Sequence, residues 1–118
     1  MKVLLVDDSR TMRNIQKRML AASGTEFFEA DDGLQAIELI ERTPGGFNLL
    51  LIDWNMPVMD GLALIARVHI DHPAIRSIVV SGNASAEQAR NAGACGFIAK
   101  PYLAASLVQA VHDTVLPH

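Results

Sequence analysis

The chain has one cysteine, Cys95, in 118 residues, and a single thiol closes no internal disulfide. That fits a reducing, cytoplasmic setting, and Cys95 itself, between apolar neighbours, is expected to be a small buried side chain. Long hydrophobic runs are missing too: nothing approaches the roughly 20 consecutive apolar residues of a membrane span. The first apolar run, Val3 to Val6, is far shorter than a signal peptide's and ends in Asp7-Asp8, so it is not expected to act as a secretory signal. Neither sign of charge dominates. The net charge of -3 is spread along the chain, so neither a nucleic acid nor a membrane surface is expected as partner. Repeats, low-complexity tracts and linkers are also absent.

What is present is apolar residues in half of all positions, enough for one core and one domain covering residues 1–118. The most informative stretch is Asp53-Trp54-Asn55-Met56-Pro57-Val58-Met59-Asp60-Gly61, directly after the apolar run Leu49 to Ile52. That run is too short for an independent helix and reads as a strand buried on both faces of a parallel sheet. Asp53 then stands at its carboxyl end, in the crevice where open α/β sheets bind ligands.

In order, the pattern predicts a strand at Lys2 to Val6, closed by Asp7-Asp8-Ser9, and a capped helix from Arg10 to about Ala22. Met12, Ile15, Met19 and Leu20 are its expected buried stripe. Arg10, Arg13, Lys17 and Arg18 are its other face, either merely solvated or a docking face for an acidic partner. Thr25 to Ala30 reads as an edge strand. Asp32 with Gln35 has capping-box spacing and opens a helix to about Arg42, before the Pro44-Gly45-Gly46 breaker. Asp60 caps a third helix with Leu62, Ile65 and Ala66 facing inward, ending before Pro73. Ser77 to Val80 is a fourth strand. Ser85 and Gln88 cap a helix that must be short because Gly93 follows, Gly96 to Ala99 is a fifth strand, and Leu103, Leu107, Val111 and Val115 mark a last helix reaching Leu116. Alternating strands and helices imply right-handed crossovers and a doubly wound sheet.

In such a sheet the strand ends share one edge, so Asp7, Asp8, Asp53, Ser81 and Lys100 converge. Clustered carboxylates repel one another unless cationic charge intervenes, and a hard divalent ion such as Mg2+ (or Mn2+) suits oxygen ligands. Asp53 could then act as nucleophile toward a phosphoryl group. The metal, the Lys100 ammonium and the Ser81 hydroxyl would each meet one phosphoryl oxygen. Each residue has a duller role, as helix cap or surface lysine, but five coincident strand ends argue for a site. His69, His72, His112 and His118 form no metal set with these acids.

With Val6-Asp7-Asp8, the Asp53 to Gly61 stretch, Ser81 after Val79-Val80, Ala92-Gly93-Ala94 and Gly96-Phe97-Ile98-Ala99-Lys100-Pro101, the chain resembles the receiver domain of two-component response regulators over its whole length. Within that family it is most similar to the stand-alone chemotaxis-regulator (CheY-like) type. The implied fold is flavodoxin-like: a five-stranded parallel sheet of order 2-1-3-4-5 with five helices, here with the fourth shortened. CheY-type receivers are themselves reference cases of that order. The resemblance implies that Asp53 is phosphorylated by a sensor histidine kinase or histidine phosphotransfer protein. Mg2+ would be bound by Asp8, Asp53 and the Asn55 backbone carbonyl, with Asp7 acting through water, while Ser81 and Lys100 hold the phosphoryl group. It also implies a cis Lys100-Pro101 bond, an aromatic switch at Phe97, and self-phosphorylation and autodephosphorylation without a separate substrate.

Three departures stand out. Phe97 occupies the place of a customary Tyr, the segment from Ser81 to Lys100 is about three residues short, close to one helical turn, and Asn83 sits where water access is tuned. Arg10, Arg13 and Lys17 are the expected docking residues for the phosphodonor. The signal is expected to leave by contact with a downstream protein. The final helix, with Asp113 and no Lys or Arg, either packs deeply against the shortened helix or offers, with that helix and the last strand, a surface for a homodimer or a partner. A haloacid-dehalogenase-like phosphatase would need a second Asp where Asn55 stands. A flavodoxin-like cofactor site would need N–H-rich loops rather than acids, and a pseudo-receiver would lack part of the acid set.

Overall fold

The computed structural model describes residues 1–21, 24–54 and 59–115. The described residues form, in chain order, β1 (Lys2–Val6), α1 (Arg10–Met19), β2 (Glu26–Ala30), α2 (Gly33–Arg42), β3 (Leu49–Asp53), α3 (Gly61–Asp71), β4 (Arg76–Ser81), α4 (Ala86–Ala92), β5 (Gly96–Ala99) and α5 (Ala104–Val115). The strands are all parallel and lie in the order β2-β1-β3-β4-β5.

Side chains alternate across a strand, and both faces of this sheet are covered. On one face Leu4, Val6, Leu50, Ile52 and Val79 meet Ile37, Ile40, Leu64, Ile65, Val68 and Ala89 from α2, α3 and α4. On the other, Val3, Leu5, Leu49, Leu51, Ile78 and Val80 meet Leu107 and Val111 of α5, with Met19 and Leu20 at the edge. This two-sided burial is why the central strands read as unbroken apolar runs.

Helix starts follow the expected chemistry. Ser9 Oγ accepts from Met12 N at 3.2 Å, Asp32 Oδ1 from Gln35 N at 2.9 Å and Asp60 Oδ1 from Ala63 N at 2.9 Å. Ser85 and Gln88 form the full reciprocal capping box of α4. At α2 the pattern differs by one residue, since Gln35 Oε1 accepts from Asp31 N instead of from the cap's own N–H. The helix α4 is indeed short, seven residues ending at Gly93, whose φ of +108° is the left-handed cap that glycine adopts without strain.

Several expectations are corrected. In α1 the buried residues are Arg13 and Gln16, while Met12, Ile15, Met19 and Leu20 are only half-buried; the helix ends at Met19, and Ala22 lies outside the described residues. The stripe turns because the Arg13 guanidinium finds carboxylates on β2 and beyond it, and a buried charge is tolerable when paired. In α3, Leu62 is exposed and Ala66 half-buried, whereas Gly61, Leu64, Ile65 and Val68 are buried. The cause is close packing at the first turn, where a Cβ on Gly61 would lie 2.7 Å from the Asp53 carbonyl oxygen, which sets the phase of everything after it. Leu103 precedes α5 and is exposed, and Leu116 lies outside the described residues. Helix α5 packs on β4, β5 and α1, and α4 packs on α3 and β5 across the sheet, so α5 does not bury itself against the shortened helix. Cys95 is exposed rather than buried, because it sits in the α4–β5 turn with its N–H on the Ser77 carbonyl at 2.8 Å. No helix among the described residues is long and apolar enough to cross a membrane.

Candidate functional site

The site is built from strand ends. Asp7 follows β1, Asp53 closes β3, Ser81 closes β4 and Lys100 follows β5, so the parallel register delivers them to one edge of the sheet. Carboxylate oxygens of Asp7, Asp8 and Asp53, one from each, lie within 4.8 Å of one another. Asp7 is 4% exposed and Asp53 8%, while Asp8 is open to solvent. Lys100 reaches across from β5, its Nζ 3.3 Å from Asp53 Oδ1. The Lys100-Pro101 peptide bond is cis, as the family resemblance implied.

Burial dominates the electrostatics at Asp7 and pushes its pKa up to about 6, with the neighbouring charges of Asp53 and Asp8 adding to the rise. The Ser9 N–H, which donates to Asp7 Oδ1 at 2.8 Å, and the Lys100 ammonium pull the other way without cancelling it. Without a cation, Asp7 is thus ionised at pH 7 only at a cost, and it takes up a proton as pH falls through about 6. Three clustered oxygen donors, one of them reluctant to ionise alone, fit a hard divalent cation better than they fit one another. Asn55, the expected backbone ligand, lies outside the described residues.

Ser81 is 1% exposed, and its hydroxyl is engaged within its own turn: Oγ donates to Asn83 Oδ1 at 2.9 Å and accepts from Asn83 N at 3.1 Å and Ala84 N at 3.0 Å. Its carbonyl accepts from Lys100 N at 2.9 Å, which couples the two strand ends directly. Phe97 is half-buried. It packs against the core formed with α2, α3 and α4 and also lines a cleft of about 350 Å³ with Tyr102, Leu103 and Ala110 at the β5 edge.

The α1 surface differs from the expectation of a basic docking face. Arg10 is exposed, but Arg13 is 7% exposed and bonded to Glu29 Oε1 at 2.9 Å and Asp31 Oδ1 at 2.8 Å, and Lys17 is held by Glu29 Oε2 at 3.1 Å. Burial alone would raise the Glu29 pKa, but hydrogen bonds and charge from Arg13 and Lys17 outweigh it and keep Glu29 below its ordinary range. The surface beside Lys100 is instead apolar, a cleft of about 380 Å³ lined by Met12, Ile15, Met19, Pro101 and Tyr102. Sequence reasoning missed this arrangement. Its signal was the pair of acids flanking Ala30, which sit where β2 ends beside β1 and α1.

Comparison with known proteins agrees with the geometry. Residues 3–112 match the family model described as the response regulator receiver domain. The chain is 39% identical over 113 residues to chemotaxis protein CheY-3 of Vibrio cholerae, covering 91% of this chain and 85% of that protein. It is 38% identical over 117 residues to chemotaxis protein CheY of Pseudomonas aeruginosa, covering 94% and 93% respectively. Among solved structures, a CheY-like receiver domain from Methanospirillum hungatei superposes with a TM-score of 0.85 at 31% identity, covering 95% of this chain and 90% of that one. CheY4 of Vibrio cholerae gives 0.84 at 28% identity, covering 98% of both chains. With its strand order, its acid cluster and these relatives in agreement, the chain belongs to the receiver domain family of response regulators, among its CheY-like members.

Proposed function

We propose that Asp53 is the phosphoacceptor of a two-component signalling pathway, charged by a sensor histidine kinase or a histidine phosphotransfer protein. The observation that carries this reading is the Lys100 ammonium 3.3 Å from Asp53, on the edge where Asp7 and Asp8 bring their carboxylates within 4.8 Å. An Asp53 carboxylate oxygen attacks the phosphorus of a phosphohistidine. The P–O bond forms as the P–N bond breaks, and the imidazole keeps the electron pair. Asp8, Asp53 and the Asn55 carbonyl are the proposed ligands of Mg2+ or Mn2+, with Asp7 acting through water; the bound ion would supply the charge that lets the acids ionise together and offsets charge on the phosphoryl group. Lys100 meets one phosphoryl oxygen. Ser81 meets another by giving up its bond to Asn83 Oδ1, and Phe97 moves inward as that turn shifts, biasing a two-state equilibrium. Water later attacks the acyl phosphate, so the protein turns over only its own modification.

The phosphodonor docks on the apolar cleft of Met12, Ile15 and Tyr102, which adjoins Lys100, while exposed Arg10 lines a separate cleft on the Asp8 side of the site. The downstream protein, or a second copy of the chain, uses the face of α4, β5 and α5, where Phe97 and Leu103 line a cleft. Light scattering that finds a monomer with and without a phosphoryl analogue would sink the dimer. The setting proposed is cytoplasmic. Incubation with Mg2+ and a small phosphodonor, followed by intact-mass measurement, is expected to add one phosphoryl group to the wild type and none to Asp53→Asn; addition to both would refute the assignment.

A further inference from the structure

Arg13 is a buried cation beside the acid cluster, and its guanidinium makes three contacts in different directions. Its Nε donates to Glu29, its Nη1 forms an ion pair with the Asp31 carboxylate at 2.8 Å, and Nη1 also donates to the backbone carbonyl of Asp7. The last bond matters for the site. The Asp7 carbonyl belongs to the rigid peptide plane that leads to Asp8, so holding that oxygen fixes where both carboxylates depart from the chain. The Asp7 N–H is held as well, by the Ala30 carbonyl at 3.1 Å, and the Asp7 carboxylate is oriented by the Ser9 N–H at 2.8 Å. Arg13 is thus the one side chain of α1 that grips the backbone of the acid pair, and the acids flanking Ala30 hold its guanidinium in place. A lysine could not do the same, since one ammonium does not present planar donors to three separated acceptors.

We propose that Arg13 is a positioning residue for cation binding at Asp7 and Asp8, tying their geometry to the end of the edge strand β2. The inference rests on the metal-dependent reading of the site given above. The sign of the effect separates positioning from simple charge. A positive charge beside clustered acids repels a divalent cation, so removing it would tighten binding if Coulomb energy were the whole effect. If Arg13 acts by holding the Asp7 carbonyl, removing it loosens the acid pair and weakens binding.

The test is Mg2+ titration followed by Trp54 fluorescence, Trp54 being half-buried and next to Asp53. Absence of any wild-type response overturns the metal-dependent reading itself. With a wild-type response in hand, Arg13→Met is expected to raise the apparent Kd for Mg2+ by about 10–100-fold, the usual range for groups that orient metal ligands. The phosphorylation rate by a small phosphodonor is expected to recover to within a few fold at saturating Mg2+, so the Mg2+ requirement rises while the maximal rate holds. Arg13→Lys keeps the charge and is expected to weaken binding by about 3–10-fold; it decides the matter if Arg13→Met does not fold. A folded variant with unchanged or tighter Mg2+ binding, even with a lowered Tm, overturns the proposal and leaves Arg13 a structural ion-pair partner only.

Discussion

At Asp7, burial and function oppose each other. A carboxyl whose folded pKa is raised binds more protons folded than unfolded, so its contribution to stability is complete below its ordinary value of 3.8 and is lost as pH rises through about 6. At pH 7 the ionised, buried Asp7 therefore destabilises the metal-free protein. A shift of two units corresponds to about 3 kcal/mol, and Asn forfeits the charge-assisted bond to Ser9, so Asp7→Asn is expected to stabilise the metal-free fold at pH 7 by about 1–3 kcal/mol. Urea unfolding at pH 7 and again at pH 4 checks this; the gain should shrink at the lower pH, and an equal gain at both would contradict it. Gly61 carries a different constraint. An added methyl would lie 2.7 Å from the Asp53 carbonyl oxygen and 2.8 Å from Trp54 Cα, both backbone atoms that cannot step aside. Gly61→Ala is expected to cost about 2–3 kcal/mol in urea unfolding, as overpacking does.

The elements themselves were legible where local chemistry decides them. Caps at Ser9, Asp32, Asp60 and Ser85, and the breaks at Gly93 and before Pro73, are properties of short stretches, and the structure has them. Helix phase was not legible in the same way. In α3 the apolar residues Leu62, Leu64, Ile65 and Val68 permit two inward faces. The choice fell to the contact of Gly61 with the backbone after β3, which turns Leu62 outward. Leu64→Ala is accordingly expected to destabilise by about 2–5 kcal/mol, and Leu62→Ala to stay within about 0.5 kcal/mol, by the same unfolding measurement. Comparable losses at both positions would mean that the helix is turned the other way. Helix α1 makes the same point with a charge: periodicity placed Arg13 on an exposed face, solvated or docking a partner, yet two carboxylates and a carbonyl from other segments make its burial favourable.

For the whole molecule, the two perturbed acids bound stability from opposite sides. Glu29 has a depressed pKa, so its contribution is present above its ordinary value of 4.5 and is lost as pH falls through the folded value below that. Asp7 contributes at low pH and loses its contribution through about 6. The metal-free protein is therefore expected to unfold at its highest temperature between about pH 3.8 and 4.5, where the Glu29 contribution is largely in place and the Asp7 contribution has only begun to decline, measured by a thermal melt at each pH. Adding Mg2+ is expected to raise the melting temperature chiefly on the alkaline side, because binding to the native state alone adds stability where the acids are ionised.

The amino-acid order by itself determined the alternation of strands and helices, the doubly wound winding, the caps and the set of strand-end residues that meet. Those follow from residue periodicity and from the rule that parallel strands end on one edge. Tertiary structure decided which face of α1 and α3 turns inward, that Cys95 lies open, that α5 packs across the sheet from α4, and that Arg13 grips the Asp7 carbonyl. Each of these depends on atoms from segments distant in sequence, where packing and pairing energies of a few kcal/mol exceed the tenths that local preference provides.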